Sequence, residues 1–359
     1  MIETESPRIT SRSMEDHDLV RHLYNRRSLW GTESVLYHEQ HPMSWAEVSG
    51  NYQNWEIDTN AIIPSDAGSA DGSVVPLFSS DDLTIWLSRR RTSMDHFFRN
   101  CTADELHVIS RGAMVYETDF GTIEVADRDL LVIPKGVTYR VRVPESAETF
   151  RLIYESGPEL FLVPAEMVEH VYHKGRPALT HERLRYPRLV EPSPEPGRFD
   201  IRVKYRGAFS EFLGEMSTIA YDFSPMDVQL VDGENPVYAF SIADIEKLGS
   251  TPVPFLGGAY LDNRSNLAWT LHLTGGGNRA PVHRNPDVDE LRFHSSGAKA
   301  GAILFTPQGV DHGAGRGYTR HERNRPHGPY DDGDVLSIYT FRALKGTEAA
   351  FNHAVPCMC

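Results

Sequence analysis

The chain has 359 residues, of which 40% are hydrophobic, so it is long enough to bury a sizeable core in one large or two ordinary domains. Its formal net charge of −14 argues against nucleic acid and anionic membrane as partners. No stretch approaches the length of a membrane span, Met1–Asp18 is polar and acidic rather than a signal peptide, and three cysteines are too few for a disulfide framework. We therefore expect a cytoplasmic protein.

Residues 1–79 carry few strand signals and are predicted to form an irregular N-terminal segment that packs on the rest of the protein. Within it, Asp16–Arg26 has the pattern of a short helix. Ser44–Val48 has the pattern of a helix start, with Ser44 as the cap and Glu47 three residues later. Ser65–Ser73 is rich in serine and glycine, which predicts a loop.

Short strands follow from residue 80, beginning with Leu83–Leu87, and residues 80–185 are predicted to form a first β domain. Tyr186–Arg198 contains four prolines, which predicts an extended linker over residues 186–200. A second domain is predicted over residues 201–359. Its expected elements are strands at Ile201–Tyr205, Leu267–Leu273 and Leu336–Phe341 and a loose tail at Asn352–Cys359.

The second predicted domain contains two histidines and a glutamate in a distinctive spacing. The pattern runs through His283, Glu290, a strand at Leu291–Ser295, a turn at Gly297–Gly301, a returning strand at Ala302–Phe305, Pro307, Gly309 and His312. Two antiparallel strands would bring the three polar side chains together on the inner face of a small barrel. Two imidazoles and one carboxylate with open positions form the facial triad typical of non-haem Fe(II) oxygenases. The alternative is a β-hairpin with surface histidines.

Residues 96–140 repeat this pattern with different side chains at two of the three positions. Aligning F-R-N-C-T-A-D-E-L with H-R-N-P-D-V-D-E-L places Phe98 on His283 and Glu105 on Glu290, and the later P-x-G places Tyr139 on His312. We therefore predict two copies of one barrel, of which the first holds no metal. Its expected role is packing and oligomerisation, and a homo-oligomer is expected.

These motifs resemble the homogentisate 1,2-dioxygenase family, in its shorter bacterial branch. The resemblance also includes E-T-D-F-G after the first block, D-V-Q-L-V-D-G-E-N-P-V-Y-A-F-S-I, and the closing T-F-R-A-L-K-G-T-E-A-A, so it spans roughly residues 95 to 350. It implies an all-β dominated bicupin fold of two double-stranded β-helix (jelly-roll) barrels with Fe(II) in the C-terminal one. It also implies ring opening of a small aromatic substrate, a hydroquinone-like or other phenolic acid, with O₂. The family's metal ligands match His283, Glu290 and His312.

The chain departs from the family at the positions that contact substrate. Thr306 stands where the family has a histidine six residues before the last ligand. No histidine lies between Lys247 and Thr270, where the family has one that acts on the substrate's phenol. These departures predict a divergent member with an altered substrate.

Several other side chains are candidates for catalysis or substrate binding. His294 shares a strand face with Glu290, so it is either a partner of the site or a barrel-lining residue. The segment after the last ligand is rich in arginine, and arginine forks suit carboxylates, so it is interpreted as a lid, with a solvated loop as the alternative. The catalytic candidates are His294, His321 and His327, and the substrate-binding candidates are Thr306, Arg320 and Tyr318.

Two other functions are compatible with the same residues. A metal-dependent cupin isomerase or lyase would use zinc, manganese or nickel at the same triad, because imidazole and carboxylate do not select iron by themselves. A bicupin binding protein without turnover is compatible with the altered first barrel. Metal analysis and oxygen uptake with phenols distinguish these possibilities.

Overall fold

A computed structural model of the chain describes residues 19–27, 30–145, 147–162, 181–191, 196–206, 215–244, 258–262, 267–273, 282–313 and 333–357. Nearly all regular structure in these ranges is β-strand, with one turn of α-helix, α1 (Glu348–Phe351). None of the helices in the described ranges is long and apolar enough to cross a membrane.

The strands of the N-terminal half are β1 (Val20–Arg27), β2 (Trp30–His38), β3 (Asn54–Asp58), β4 (Val75–Ser79), β5 (Leu83–Ser88), β6 (Phe97–Asn100), β7 (Asp104–Arg111), β8 (Met114–Thr118), β9 (Gly121–Val125), β10 (Asp129–Ile133), β11 (Thr138–Arg142), β12 (Phe150–Ser156) and β13 (Phe161–Leu162). Those of the C-terminal half are β14 (Phe199–Tyr205), β15 (Glu215–Tyr221), β16 (Tyr238–Ser241), β17 (Gly258–Asp262), β18 (Leu267–Leu273), β19 (Val282–Arg284), β20 (Asp289–His294), β21 (Ala302–Thr306), β22 (Asp334–Thr340), β23 (Lys345–Gly346) and β24 (Ala354–Cys357). Short 3-10 turns cover Thr59–Ala61, Ser65–Ala67, His181–Arg183 and Ile242–Asp244.

The strands form two barrels, each built from two sheets. The first barrel combines the order β16-β10-β7-β12-β5-β4-β23 with the order β15-β14-β6-β11-β8-β9. The second combines β13-β17-β18-β22-β20-β21-β3-β24 with β19-β1-β2. The protein therefore has the all-β bicupin fold that the sequence predicted.

One hydrophobic core joins the two barrels. Leu106 and Val108 of β7 belong to the same buried cluster as Leu291 and Phe293 of β20. Full burial of one such side chain contributes about 1.5–3 kcal/mol. Since neighbouring strand residues face opposite sides, Glu105 and Glu290, each one residue before such a pair, face away from this core, into their own barrels.

The N-terminal segment is more regular than the sequence predicted. The helix predicted at Asp16–Arg26 is wrong, because Val20–Arg27 is a strand that pairs with β2 and, in parallel, with β19. Ser44–Val48 contains no helix. The loose tail is also a wrong prediction for Ala354–Cys357, which pairs with β3. Pairing with β2 and β19 overrides the local pattern at Val20–Arg27, and pairing with β3 overrides it at Ala354–Cys357.

Sheet pairing crosses the predicted domain limits. β14 pairs with β6 and β16 pairs with β10, so strands that follow the proline-rich stretch extend the sheets of the first barrel. A boundary at residue 201 would separate these hydrogen-bonded strands. The domain limits and the homo-oligomer stay predictions.

The internal repeat is visible in the hydrogen bonds that frame each barrel. Asp104 accepts from the backbone N–H groups of Lys135 and Leu160 at 2.9 and 2.7 Å. Its counterpart Asp289 accepts from those of Gln308 and Leu344 at 2.8 and 2.7 Å. In both barrels, an aspartate therefore makes the same hydrogen bonds to the turn that precedes Tyr139 or His312.

Candidate metal centre

A two-residue backbone bridge places the imidazoles of His283 and His312 side by side. The N–H of His283 donates to the carbonyl of His312 at 2.8 Å, and the N–H of His312 donates back at 3.1 Å. The ring centroids are 4.0 Å apart. Both residues are buried, with exposed fractions of 5% and 2%. The backbone thus brings the two rings to the same side of the bridge.

Glu290 of β20 completes the group, and its Oε2 lies 2.8 Å from Nε2 of His312. One ligand atom from each of His283, Glu290 and His312 lies within 4.8 Å of the other two. Burial would raise the pKa of Glu290, but the charge and hydrogen bond of His312, together with Arg292 and His283, outweigh it and hold the pKa well below its ordinary value. The carboxylate is therefore ionised at neutral pH.

A second contact fixes the tautomer of His312. Its Nδ1 lies 2.9 Å from the carbonyl oxygen of Val310. Because a carbonyl oxygen only accepts, Nδ1 carries the hydrogen and Nε2 is directed at Glu290. This arrangement is typical of imidazoles that bind metals, whose other nitrogen is held by a backbone carbonyl or a carboxylate.

Asn285 contributes a buried amide at the same place. Its Nδ2 lies 3.5 Å from both Glu290 Oε2 and His312 Nε2. Its Oδ1 is buried and has no hydrogen-bond partner among the described residues. Leaving a buried acceptor unsatisfied typically costs about 1–3 kcal/mol, so this oxygen needs a partner that a ligand or water would supply.

Two of the predicted substrate or catalytic residues lie on the same sheet face as Glu290. Thr306 is buried in β21 directly opposite Glu290, so the two side chains share one face of the sheet. His294 is buried on β20, on the same strand face as Glu290. The other four candidates, His321, His327, Arg320 and Tyr318, lie outside the described residues.

The corresponding position of the first barrel is filled by protein hydrogen bonds. Tyr139, the counterpart of His312, donates its hydroxyl to Oε2 of Glu105 at 2.7 Å. His107 Nε2 reaches the same oxygen at 2.9 Å, and Asn100 donates to Oε1 at 2.9 Å. Burial would raise the pKa of Glu105, but these hydrogen bonds hold it below the ordinary value. Phe98, the counterpart of His283, offers no ligand atom.

In the described part of the chain, His283, Glu290 and His312 form the one group of three His, Cys, Asp or Glu side chains close enough to share an ion. The first barrel thus repeats the frame of the second, with a tyrosine and a phenylalanine in place of the two imidazoles.

The outer side of the His283–His312 bridge carries a second polar group. Arg284 donates through Nε and Nη2 to both carboxylate oxygens of Asp311, at 2.7 and 2.8 Å. His22 of β1 lies 3.1 Å from Asp311 Oδ1, and its other nitrogen lies 3.2 Å from His38. Burial would raise the pKa of Asp311, but the hydrogen bonds of His22 and Arg284 lower it to about 2.

An open groove of about 730 Å³ lies beside this outer group. Its lining includes Tyr24, Trp45, Tyr52, Arg284, Val310 and Asp311. Sequence reasoning missed both the groove and the outer group. The alternation rule, applied to His283 and His312, would have placed their neighbours Arg284 and Asp311 together outside the barrel.

Comparisons with known proteins find dioxygenases among the proteins similar to this chain. The family model for the N-terminal part of homogentisate 1,2-dioxygenase matches residues 67–165. A protein of Saccharolobus solfataricus that carries a provisional dioxygenase name is 25% identical over 344 residues, which cover 88% of this chain and 82% of that protein. Homogentisate 1,2-dioxygenase of Pseudomonas putida is 23% identical over 168 residues, which cover 47% of this chain and 36% of that enzyme.

Over part of its length, the chain is similar to the homogentisate 1,2-dioxygenases. The match to the Pseudomonas enzyme spans about a third of that enzyme's own length, so its activity and substrate are not transferred with the relationship.

Solved structures similar to this chain include an oxalate decarboxylase mutant of Bacillus subtilis, with a TM-score of 0.39, 12% identity and coverage of 86% of this chain and 80% of that one. Another is the Escherichia coli protein Ylba, with a TM-score of 0.37, 7% identity and coverage of 88% and 96%. Both are too distant to add to the fold assignment, which rests on the strand pairing.

Proposed function

We propose that this protein is an Fe(II)-dependent dioxygenase that opens the ring of a hydroquinone-like or other phenolic aromatic acid. The observation that carries the proposal is the buried group of His283, Glu290 and His312, with ligand atoms within 4.8 Å of one another. The similarity to homogentisate 1,2-dioxygenases supports it, and the motif resemblance implies that the same three positions are that family's ligands.

The residues at this position fit a divalent metal. Two imidazoles and one carboxylate on one side of an ion are the donor set of non-haem Fe(II) oxygenases. Ligand atoms bound at about 2.1 Å in neighbouring positions lie about 3 Å apart, and Glu290 Oε2 and His312 Nε2 are 2.8 Å apart. The ionised carboxylate of Glu290 is one of the deprotonated donors that a metal requires, and binding would displace the hydrogen that Nε2 of His312 shares with it.

When bound, a ferrous ion would supply the redox chemistry that allows O₂ to react with an electron-rich aromatic ring. The protein's part is to hold the ion from one side and to exclude water. Exposed fractions of 2–5% for the three side chains support a dry site, where electrostatic interactions are stronger than in water.

The substrate is proposed to lie on the open side, near Asn285 and Thr306. The free Oδ1 of Asn285 is suited to accept a hydrogen bond from a hydroxyl group. Thr306 presents a short hydroxyl where the family has an imidazole, which supports a substrate with a different substituent pattern from homogentisate. His294 is proposed as a proton acceptor, and the roles proposed for His321, His327, Arg320 and Tyr318 rest on their sequence positions.

The test is oxygen uptake by protein loaded anaerobically with Fe(II). A panel of hydroquinones, catechols and phenolic acids is supplied, and uptake is compared with loss of the aromatic absorbance. We expect uptake and ring opening to occur together for at least one compound, with both atoms of ¹⁸O₂ in the product.

A matched pair of variants locates the activity. His312→Ala is expected to abolish uptake, whereas Tyr139→Phe, at the equivalent position of the first barrel, is expected to retain it. Iron-loaded wild-type protein that consumes no oxygen with any compound would contradict the proposal and favour a metal-dependent isomerase, a lyase or a binding protein.

A further inference from the structure

The two imidazoles of the candidate site are held by very little backbone structure. β19 has three residues, and His283 and His312 are joined by an isolated bridge of two hydrogen bonds. On its other side, β19 pairs with β1, where Leu23 lies opposite His283. The spacing between the two rings therefore depends on interactions beyond the bridge itself.

The outer-face cluster, which we define as His22, His38, Arg284 and Asp311, supplies such interactions. Because successive residues of an extended chain face opposite sides, inward imidazoles at 283 and 312 require their neighbours Arg284 and Asp311 to face outward. These two residues meet in a fork of two hydrogen bonds, the strongest geometry for an arginine–carboxylate pair.

The cluster also ties the bridge to two other strands. His22 of β1 is 3% exposed at its side chain and contacts Asp311 at 3.1 Å. Asn54 of β3 donates its Nδ2 to the backbone carbonyl of Asp311 at 3.1 Å. Asp311, which precedes His312, is therefore bound by Arg284, by His22 and by Asn54.

We propose that Arg284 and Asp311, anchored by His22, are positioning residues that set the spacing of His283 and His312 for metal binding. The inference rests on the proposed function, because it takes these two histidines as metal ligands. Arg284 and Asp311 face the side of the bridge opposite to the two imidazoles, so they act on these through the backbone.

The protein contains a matched control for this pair. Arg26 of β1 donates through Nε and Nη2 to both oxygens of Asp287, each at 3.0 Å. This pair has the same chemistry and also joins β1 to the segment that follows His283, but its arginine side chain is 69% exposed and neither residue adjoins an imidazole. Breaking the Arg26–Asp287 pair therefore measures the effect of losing an ion pair that does not adjoin a candidate ligand.

The experiment measures the affinity of the full chain for Fe(II), anaerobically, and for Co(II), by competition with a chromophoric chelator. Outer-partner mutations at metal sites commonly weaken affinity about 10- to 100-fold, and we expect about 10-fold for Asp311→Asn. Arg284→Lys keeps the charge but loses the fork, so a smaller loss is expected. Asp287→Asn should change affinity less than about 2-fold. The visible spectrum of bound Co(II) should change in Asp311→Asn and not in Asp287→Asn.

Folding is checked by circular dichroism, and Arg284→Lys and His22→Phe take the place of Asp311→Asn if that variant does not fold. Affinities of the outer-face variants within about 2-fold of wild type would overturn the inference and leave the proposed function intact. An equal loss in Asp287→Asn would also overturn it, because the effect would then be a general loosening of β1. If wild-type protein binds neither metal, the proposed function fails and the inference fails with it.

Discussion

Glu290 and Glu105 occupy equivalent positions of two barrels, and replacing each with glutamine should have different effects on metal-dependent stability. Glu290→Gln removes the one carboxylate of the candidate metal group. Glu105→Gln removes a carboxylate whose two oxygens accept hydrogen bonds from Tyr139, His107 and Asn100. The two changes have the same chemistry and differ only in what the side chain contacts.

The expected magnitudes follow from those contacts. A metal present at 100 times its dissociation constant stabilises the folded protein by about 2.7 kcal/mol, and Glu290→Gln should lose that stabilisation. Without metal, this variant should also be destabilised, because it loses the buried contact of the Glu290 carboxylate with His312. Glu105→Gln should be destabilised with or without metal, since a hydrogen bond to a charged group contributes about 1.5–3 kcal/mol. It should still gain the metal-dependent stabilisation.

Thermal unfolding with and without Fe(II) or Co(II), together with metal content by elemental analysis, measures both effects. We expect one metal per chain in wild type and in Glu105→Gln, and none in Glu290→Gln. Full metal content in Glu290→Gln would remove that residue from the ligand set. Loss of metal from Glu105→Gln would show that the first barrel binds an ion.

Three further predictions concern the substrate and the first barrel. Because Thr306 replaces a family histidine, iron-loaded protein should turn over homogentisate poorly, and a kcat/KM of about 10⁴ M⁻¹s⁻¹ or more in steady-state assays would contradict this. Asn285→Leu should raise KM about 10-fold for the substrate found in the uptake screen and leave metal content unchanged, because the change removes a buried acceptor. Burial lowers the pKa of His107 below its ordinary 6.5, so the unfolded chain binds more protons and stability falls as pH drops below about 6.5. His107→Gln should reduce that slope in denaturant unfolding curves at several pH values, and an unchanged slope would count against the assignment.

Prediction from the sequence was most accurate where a single motif determined the positions of several residues. The repeat alignment placed Glu105 on Glu290 and Tyr139 on His312, and the structure gives both pairs the same contact, at 2.7 and 2.8 Å. The strand prediction for Leu267–Leu273 agrees with the observed bounds. The pattern that predicts such an element lies within the element's own residues, as a local motif or a hydrophobic periodicity.

Prediction failed where the outcome depended on partners far away in the chain. Val20–Arg27 has no strong strand pattern of its own, and it is a strand that pairs with β2 and also with β19, about 260 residues later. Within the same strand, His22 contacts Asp311 of the outer-face cluster, which lies 289 residues later in the chain. A single sequence contains no signal for such contacts, although the alternation of side chains would have placed Arg284 and Asp311 on the same side.

The first barrel bears on how ligand variants of the second will behave. Asp104 and Asp289 hold equivalent turns with nearly identical hydrogen bonds, although Phe98 and Tyr139 replace the imidazoles in the first barrel. The frame therefore forms without two of the three metal ligands. Because folding of the repeat does not require the ligands, loss of metal in Glu290→Gln or His312→Ala should reflect a missing donor rather than an unfolded barrel. The same frame thus supports a hydrogen-bonded core in one copy and the proposed metal centre in the other.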